Sequence, residues 1–99
     1  MKGFYHMTVK FFAYLRDRDY AGCKEIQMEC PGTVLELGKK LAEKYGKKFK
    51  NEFFAPGETE LGERIIVMVN GRRVEFLEGI RTELKESDTV QIFPVVAGG

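Results

Sequence analysis

Residues 7–14, MTVKFFAY, alternate: Met7, Val9, Phe11 and Ala13 fall on one side, Thr8, Lys10, Phe12 and Tyr14 on the other. A period of two is the pattern of a strand that buries one face. LRDRDYAGCK (15–24) is polar and holds a glycine, so it reads as a loop. EIQMEC (25–30) alternates again, with Ile26, Met28 and Cys30 on one side, and the two strands predict a first hairpin. Pro31-Gly32 ends it. The period then becomes helical in TVLELGKKLAEKYG (33–46), where Val34, Leu37, Leu41 and Tyr45 share a stripe. Thr33 with Glu36 three positions later has the form of a capping box. Gly38 marks a close approach of the helix to another backbone, and Gly46 stands where a helix-ending glycine belongs.

KKFKNEFFAPGETELGER (47–64) is the least regular stretch. Phe49, Phe53 and Phe54 predict a short helical turn over a sheet edge or core end, and Pro56, Gly57 and Gly62 mark loop. IIVMV (65–69) is β-branched and apolar, a buried strand. Asn70-Gly71 is a strong hairpin signal, with RRVEF (72–76) as the return strand. LEGIRTELKESD (77–88) reads as loop with one helical turn, and TVQIFPVV (89–96) as the last strand. A helix linking two hairpins packs its apolar stripe on one face of a shared sheet. The expected fold is therefore α+β, a β-grasp: a mixed sheet with one main helix on one face and the first and last strands parallel at its centre. A central position accounts for the apolar character of the last strand. Pro94 lacks an amide hydrogen, so the ladder should end near it. Beyond it, six residues reach about 20 Å at full extension.

Composition narrows the classes of function. The chain has 99 residues, 43% of them hydrophobic and 31% charged, which fits a single soluble domain over 1–99. Residues 1–6 read as an N-terminal extension and 94–99 as a flexible tail. A net charge of +1 leaves no basic excess for a nucleic-acid partner. No apolar run approaches the ~20 residues of a membrane span, and MKGFYHM is too short and polar for a secretory signal. Cys23 and Cys30 fit neither a metal spacing nor a disulfide framework, which points to a reducing cytoplasm. A self-sufficient enzyme needs an acid, a base or a metal site. Here the single histidine, His6, sits in the extension, and neither cysteine has a histidine neighbour in sequence. Asp17, Asp19 and Glu25 lack the spacing and glycine of a calcium loop and read as solvated loop, with no metal expected.

The chain ends on IFPVVAGG. Two terminal glycines add chain freedom and no burial, and they allow two readings. One is a frayed end. The other is a side-chain-free tail that threads a narrow tunnel and presents its carboxylate to another protein's active site. Once activated as an acyl-adenylate, that unshielded carbonyl is open to attack by sulfide, a thiol or an amine.

VKFFAYLR at the front, the TVLELGKKLAEKYG helix, the VMVNGRRV hairpin and the closing ESDTVQIFPVVAGG resemble, in that order, the MoaD family of ubiquitin-like sulfur carriers. These are small subunits of molybdopterin synthase, and the resemblance covers residues 7–99. It implies that Gly99, next to Gly98, is the reacting residue. A MoeB-like adenylating enzyme would charge Gly99 with ATP and magnesium, and a sulfur donor would convert the adenylate to a thiocarboxylate. The tail would then enter a MoaE-like large subunit and give its sulfur to a pterin precursor of the molybdenum or tungsten cofactor. No cofactor would be bound by this chain, and the catalytic cations would belong to the partner. The thiamine-pathway (ThiS-like) carriers share fold and tail. Three departures from the family are Ser87-Asp88, where Gly-Asp is usual, Pro94-Val95, where Pro-Pro is common, and the six residues before Met7.

Two other functions remain beside this one. The same thiocarboxylate chemistry serves thiamine, cysteine or tRNA thiolation or attachment to protein lysines, and a ubiquitin-like interaction module has an idle tail. For docking, alternation sets Val9, Phe11, Val67, Val69, Val90 and Ile92 toward the helix and Phe12, Met68 and Phe93 on the other face. Those three, with Pro94, Val95, Val96 and Ala97 of the exit, are the expected partner-binding residues, provided that 47–64 does not fold over them. Lys39, Lys40, Lys44, Lys47 and Lys48 read as a solvated face.

Overall fold

The computed structural model describes residues 6–95. Its sheet contains β1 (His6–Phe11), β2 (Glu25–Glu29), β3 (Ile65–Val69), β4 (Arg72–Arg73) and β5 (Thr89–Pro94), in the spatial order β2-β1-β5-β3-β4. The last strand thus lies in the middle. It runs parallel to β1, with Val9 opposite Val90 and Phe11 opposite Ile92, and antiparallel to β3, with Val67 opposite Ile92. Strands in such a position are covered on both edges and need apolar side chains, which is why TVQIFP carries them. The parallel pairing requires a crossover, and α1 (Val34–Tyr45) and α2 (Lys47–Phe53) supply it on one face. This is the β-grasp expected from the order of elements.

The core lies between that face and the helices. Val9, Phe11, Val67, Val90 and Ile92 from the sheet are fully buried, as are Leu37 of α1 and, within one per cent, Leu41, Phe49 and Phe53. Phe11 meets Tyr45 and Phe49 edge-on, with ring centroids 5.7 and 5.9 Å away. Edge-on contact sets the positive rim of one ring against the negative face of the next.

Helix α1 starts where the capping box places it. The Thr33 hydroxyl accepts the Glu36 amide hydrogen at 3.2 Å, and the Glu36 carboxylate accepts the Thr33 amide hydrogen at 3.0 Å. Gly38 does mark a close approach, but to rings rather than to backbone: a Cβ there would sit 2.4 Å from Phe53 and 2.6 Å from Phe54. The stretch after Gly46 is therefore more than a turn. It forms α2, whose Phe49 and Phe53 enter the core on the helix side, and Phe54 and Leu61 bridge behind it.

The strand ends depart from the sequence expectation in four places. β1 stops at Phe11, because Ala13 takes a positive φ of 54° and starts a 3-10 turn over Ala13–Arg16. The return strand keeps only Arg72 and Arg73; Val74 then turns into the core within a second 3-10 turn, Val74–Phe76, leaving Phe76 81% exposed. His6 belongs to β1, opposite Glu29, and its carbonyl accepts the Ser87 amide hydrogen at 2.8 Å, so only residues 1–5 precede the sheet. Pro94 is buried and paired with Ile65, and the Val95 amide donates to the Arg64 carbonyl at 2.7 Å. The chain is thus held one residue beyond the proline instead of being released at it.

Two turns fix where β5 begins. Asn70 and Gly71, at φ 53° and 85°, have the paired positive angles of a tight hairpin. The Asn70 side chain donates to Asp88 at 2.8 Å and accepts the Thr89 amide hydrogen at 2.9 Å. Ser87 takes φ 73° where a glycine would be unstrained, and Asp88 steadies it by accepting the Lys85 amide hydrogen at 2.8 Å.

Replacing Gly38 with alanine is expected to cost about 1–3 kcal/mol, because both rings are packed and cannot yield as a flexible chain end would. Urea unfolding checks this against Thr33→Ala, for which loss of the cap alone predicts about 1 kcal/mol.

The Tyr14 hydroxyl donates to the Glu52 carboxylate and so ties the first 3-10 turn to α2. Burial, then the hydrogen bond and charge of Glu52, push its pKa up to about 12. The folded state holds this proton more tightly than the unfolded chain does. The group's stabilisation is therefore complete below pH ~10 and is lost between about 10 and 12. A near-ultraviolet phenolate titration should show late-titrating amplitude that Tyr14→Phe reduces, the remainder coming from half-buried Tyr45.

Candidate functional site

β5 carries the candidate site at its end. Its inward residues, Val90, Ile92 and Pro94, are buried; its outward residues, Gln91 and Phe93, lie on the face opposite the helices. Val95 follows, 42% exposed. The Arg64 carbonyl accepts its amide hydrogen and so extends the β3–β5 pairing by one residue beyond Pro94.

The open face beside this exit is partly apolar. Phe12 remains extended after β1 ends, and its amide donates to the Ile92 carbonyl at 3.1 Å. That bond lays its ring on Phe93, with centroids 4.2 Å apart and planes 15° from parallel. Arg16 donates from Nε to the Phe11 carbonyl at 2.8 Å and sets its guanidinium 5.3 Å from the centre of the Phe12 ring. A cation over an aromatic face is attracted by the ring's electron density. On the other side of Phe93 stands Ile66, directly opposite in β3, and Met68 stands opposite Gln91. Both are half-buried and point the same way as Phe93.

Charge surrounds the patch. Arg73 lies opposite Met68 and pairs with Glu75 at 3.0 Å. The hydrogen bond from Arg73 holds the Glu75 carboxyl below its usual range. Lys10 shares the outward side of β1 with Phe12. A cavity of about 530 Å³ opens beside the exit, between Leu61, Ile65, Ile66, Arg73, Ile80 and Val95.

Of the residues expected to meet a partner, the structure brings Phe12, Met68 and Phe93 onto one face and puts Val95 at its rim. Pro94 faces the other way, into the core, where it closes the strand. Val96, Ala97, Gly98 and Gly99 lie outside the described residues. Residues 47–64 do not fold over the patch, since Phe49, Phe53 and Phe54 all pack on the helix side. Three members were missed in the sequence. Ile66 was available from the alternation that found Met68. Arg16 was not, because its position depends on the turn at Ala13. Phe76 was read as a strand residue and became exposed only because the chain turned at Val74.

The chemistry open to this arrangement is presentation. Among the described residues there is no cluster of three histidine, cysteine or acidic side chains able to hold a metal, and no helix is long and apolar enough to cross a membrane. The cysteines serve the frame: the Cys30 thiol donates to the Leu84 carbonyl at 3.2 Å, and Cys23 lies 3.8 Å from the Tyr45 hydroxyl. Burial, followed by the hydrogen bond and charge of Cys23, pushes the Tyr45 pKa upward.

Known proteins place the same features in a family. A candidate sulfur carrier protein of Archaeoglobus fulgidus is 40% identical over 67 residues, 68% of this chain and 74% of the relative. The solution structure of small archaeal modifier protein 1 from Methanosarcina acetivorans superposes with a TM-score of 0.78 at 32% identity, covering 99% of this chain and 100% of the other. A chain of the Amycolatopsis orientalis BexX/CysO complex superposes with a TM-score of 0.76, also at 32% identity, covering 94% of this chain and 99% of the other. The model of the ThiS family matches residues 9–99, through both glycines. On its fold, its exposed exit strand and this match, the chain belongs to the ThiS family of ubiquitin-like sulfur carriers and modifiers.

Proposed function

We propose that the chain carries sulfur on the carboxyl group of Gly99. The central position of β5, with the Val95 amide bonded to the Arg64 carbonyl just after it, carries this reading. From the bonded Val95 amide, residues 96–99 can reach at most roughly 14 Å. That is enough to enter a partner's active site while the domain stays docked outside it. Absence of a side chain on Gly98 and Gly99 permits a narrow entrance and leaves the carbonyl open to attack.

The sequence of steps follows from carboxylate chemistry. A MoeB-like activating enzyme, with ATP and magnesium, joins the Gly99 carboxylate to the adenylyl group and releases pyrophosphate. Hydrosulfide attacks the acyl carbon; AMP leaves with the bonding pair, and a thiocarboxylate remains. In a MoaE-like large subunit, that sulfur is transferred to a pterin precursor, and water supplies the oxygen that restores the Gly99 carboxylate. The chain binds no cofactor of its own in this scheme. It contributes the docking face and the tail, and the partner supplies the acid, base and cations.

Relatives favour a second acceptor. The name of the Methanosarcina acetivorans relative is that of a protein modifier, which supports attack on the same adenylate by a lysine amine. The complex from Amycolatopsis orientalis pairs a chain of this fold with a second protein, which supports delivery to other enzyme partners, including those of thiamine, cysteine or tRNA thiolation.

Incubation with ATP, magnesium, an activating enzyme of this type and sulfide is expected to add the oxygen-to-sulfur mass difference at the terminus, read by intact mass. Removing Gly98 and Gly99 should abolish it. If the shortened chain still restores cofactor synthesis in a deficient strain, carrier chemistry is rejected. A charge introduced by Phe93→Asp should lower the charging rate at least tenfold while the melting temperature changes little. An unchanged rate would remove the open face from the docking model. Which acceptor is used follows from the large subunit that co-purifies.

A further inference from the structure

The far edge of the sheet carries a different kind of site. β2 is the outermost strand on that side. The Phe11 amide donates to the Lys24 carbonyl at 2.8 Å, so Phe11 and Lys24 form a hydrogen-bonded pair. In an antiparallel ladder such pairs recur every second residue. Val9–Ile26 and Met7–Met28 are therefore the next two in the observed register. The amides and carbonyls of Glu25, Gln27 and Glu29 then point outward, away from β1.

Beside this edge, which no strand among the described residues pairs with, lies a groove of about 290 Å³ between β2 and α1. Its floor is Ile26, Met28 and Leu41, and Lys40 and Lys44 stand over it, both exposed. An outward row of backbone donors and acceptors next to an apolar trough is what an added strand requires: the ladder binds its backbone, and pockets take alternate side chains. The two faces of the edge differ in charge. On the helix side, lysines flank the trough; on the open side, Glu25 and Glu29 bracket Gln27. A second copy of this chain, paired antiparallel about Gln27, would set Glu25 against Glu29 twice, and like charges directly opposite are destabilising.

We propose that β2 and α1 form a docking groove for an extended segment of another protein. That segment is aliphatic at alternate positions, acidic at its flanks on the same side, and uncharged or basic on the other side. It adds to β2 as a sixth strand. Aliphatic side chains fill the trough over Ile26, Met28 and Leu41, and the acidic flanks meet Lys40 and Lys44. The groove lies across the sheet from β3, beside which Val95 sits. The proposal does not depend on the chemistry of Gly99.

The test uses the full chain and a fluorescein-labelled, end-capped peptide, Asp-Thr-Val-Thr-Ile-Thr-Asp, followed by anisotropy. Saturable binding is expected, with amide shifts concentrated at Glu25, Gln27 and Glu29. Gln27→Pro removes an outward amide hydrogen without touching the β1 ladder and should abolish binding. The double variant Lys40→Glu, Lys44→Glu leaves the backbone intact and should weaken binding roughly fivefold or more, since each exposed charge pair contributes modestly. A peptide with the same residues in non-alternating order should not bind. Equal binding of that peptide, or binding indifferent to both variants, overturns the proposal. So does self-association through β2 that excludes the peptide.

Discussion

Everything in this molecule depends on the parallel pairing of β1 with β5. It joins the first strand of the chain to the last across the centre of the sheet, so the domain closes only when both ends of the sequence are in place. Such a contact is entropically costly to bring together and needs apolar side chains on both strands to repay it. Val9, Phe11, Val90 and Ile92 provide them, each fully buried. The same pairing sets the direction of β5. Because that strand is locked on both edges, Val95 after it is held at a fixed place, beside a face that the helices do not cover.

The two faces of the sheet divide the labour. The helix-covered side holds the stability: the capped α1, the aromatic cluster of Phe11, Tyr45, Phe49 and Phe53, and Gly38, whose missing side chain admits two rings. The open side holds the face proposed for recognition: the stacked pair Phe12 and Phe93, with Ile66, Met68 and the Arg16 cation around it. Large apolar groups on an open face cost stability and solubility unless something covers them. Their position next to the exit ties that cost to the delivery of the tail, and the partner enzyme is the cover in the reading given above.

The edges of the sheet differ as well. On one side β4 is only Arg72–Arg73 and turns away at Val74, a short charged strand that discourages pairing. On the other, β2 is longer and has a trough beneath it. Glutamates guard it against its own copy while lysines offer it to an acidic segment. A carrier that is charged by one protein and discharged by another gains from a second handhold far from its reacting end.

Much of this was legible in the amino-acid order. Alternation identified β1 and β2 and separated Val9 and Phe11 from Phe12, and an apolar β-branched run marked β3. Thr33 and Glu36 announced the start of the helix, Asn70-Gly71 the hairpin, and the apolar run before Gly-Gly the central last strand. These are local signals, each written within a few residues. What the sequence by itself did not determine depends on contacts between distant segments. Ala13 turns the chain at a positive φ only because Leu15 is drawn into the core behind it. Val74 leaves the strand for the same reason, and Pro94 stays in the ladder because Arg64 offers a carbonyl to the residue after it. Helix α2 packs closely on α1 because Gly38 leaves room for the rings of Phe53 and Phe54. Local pattern sets which face a side chain shows; where a strand stops and which faces stay open is decided by the burial available from the rest of the chain.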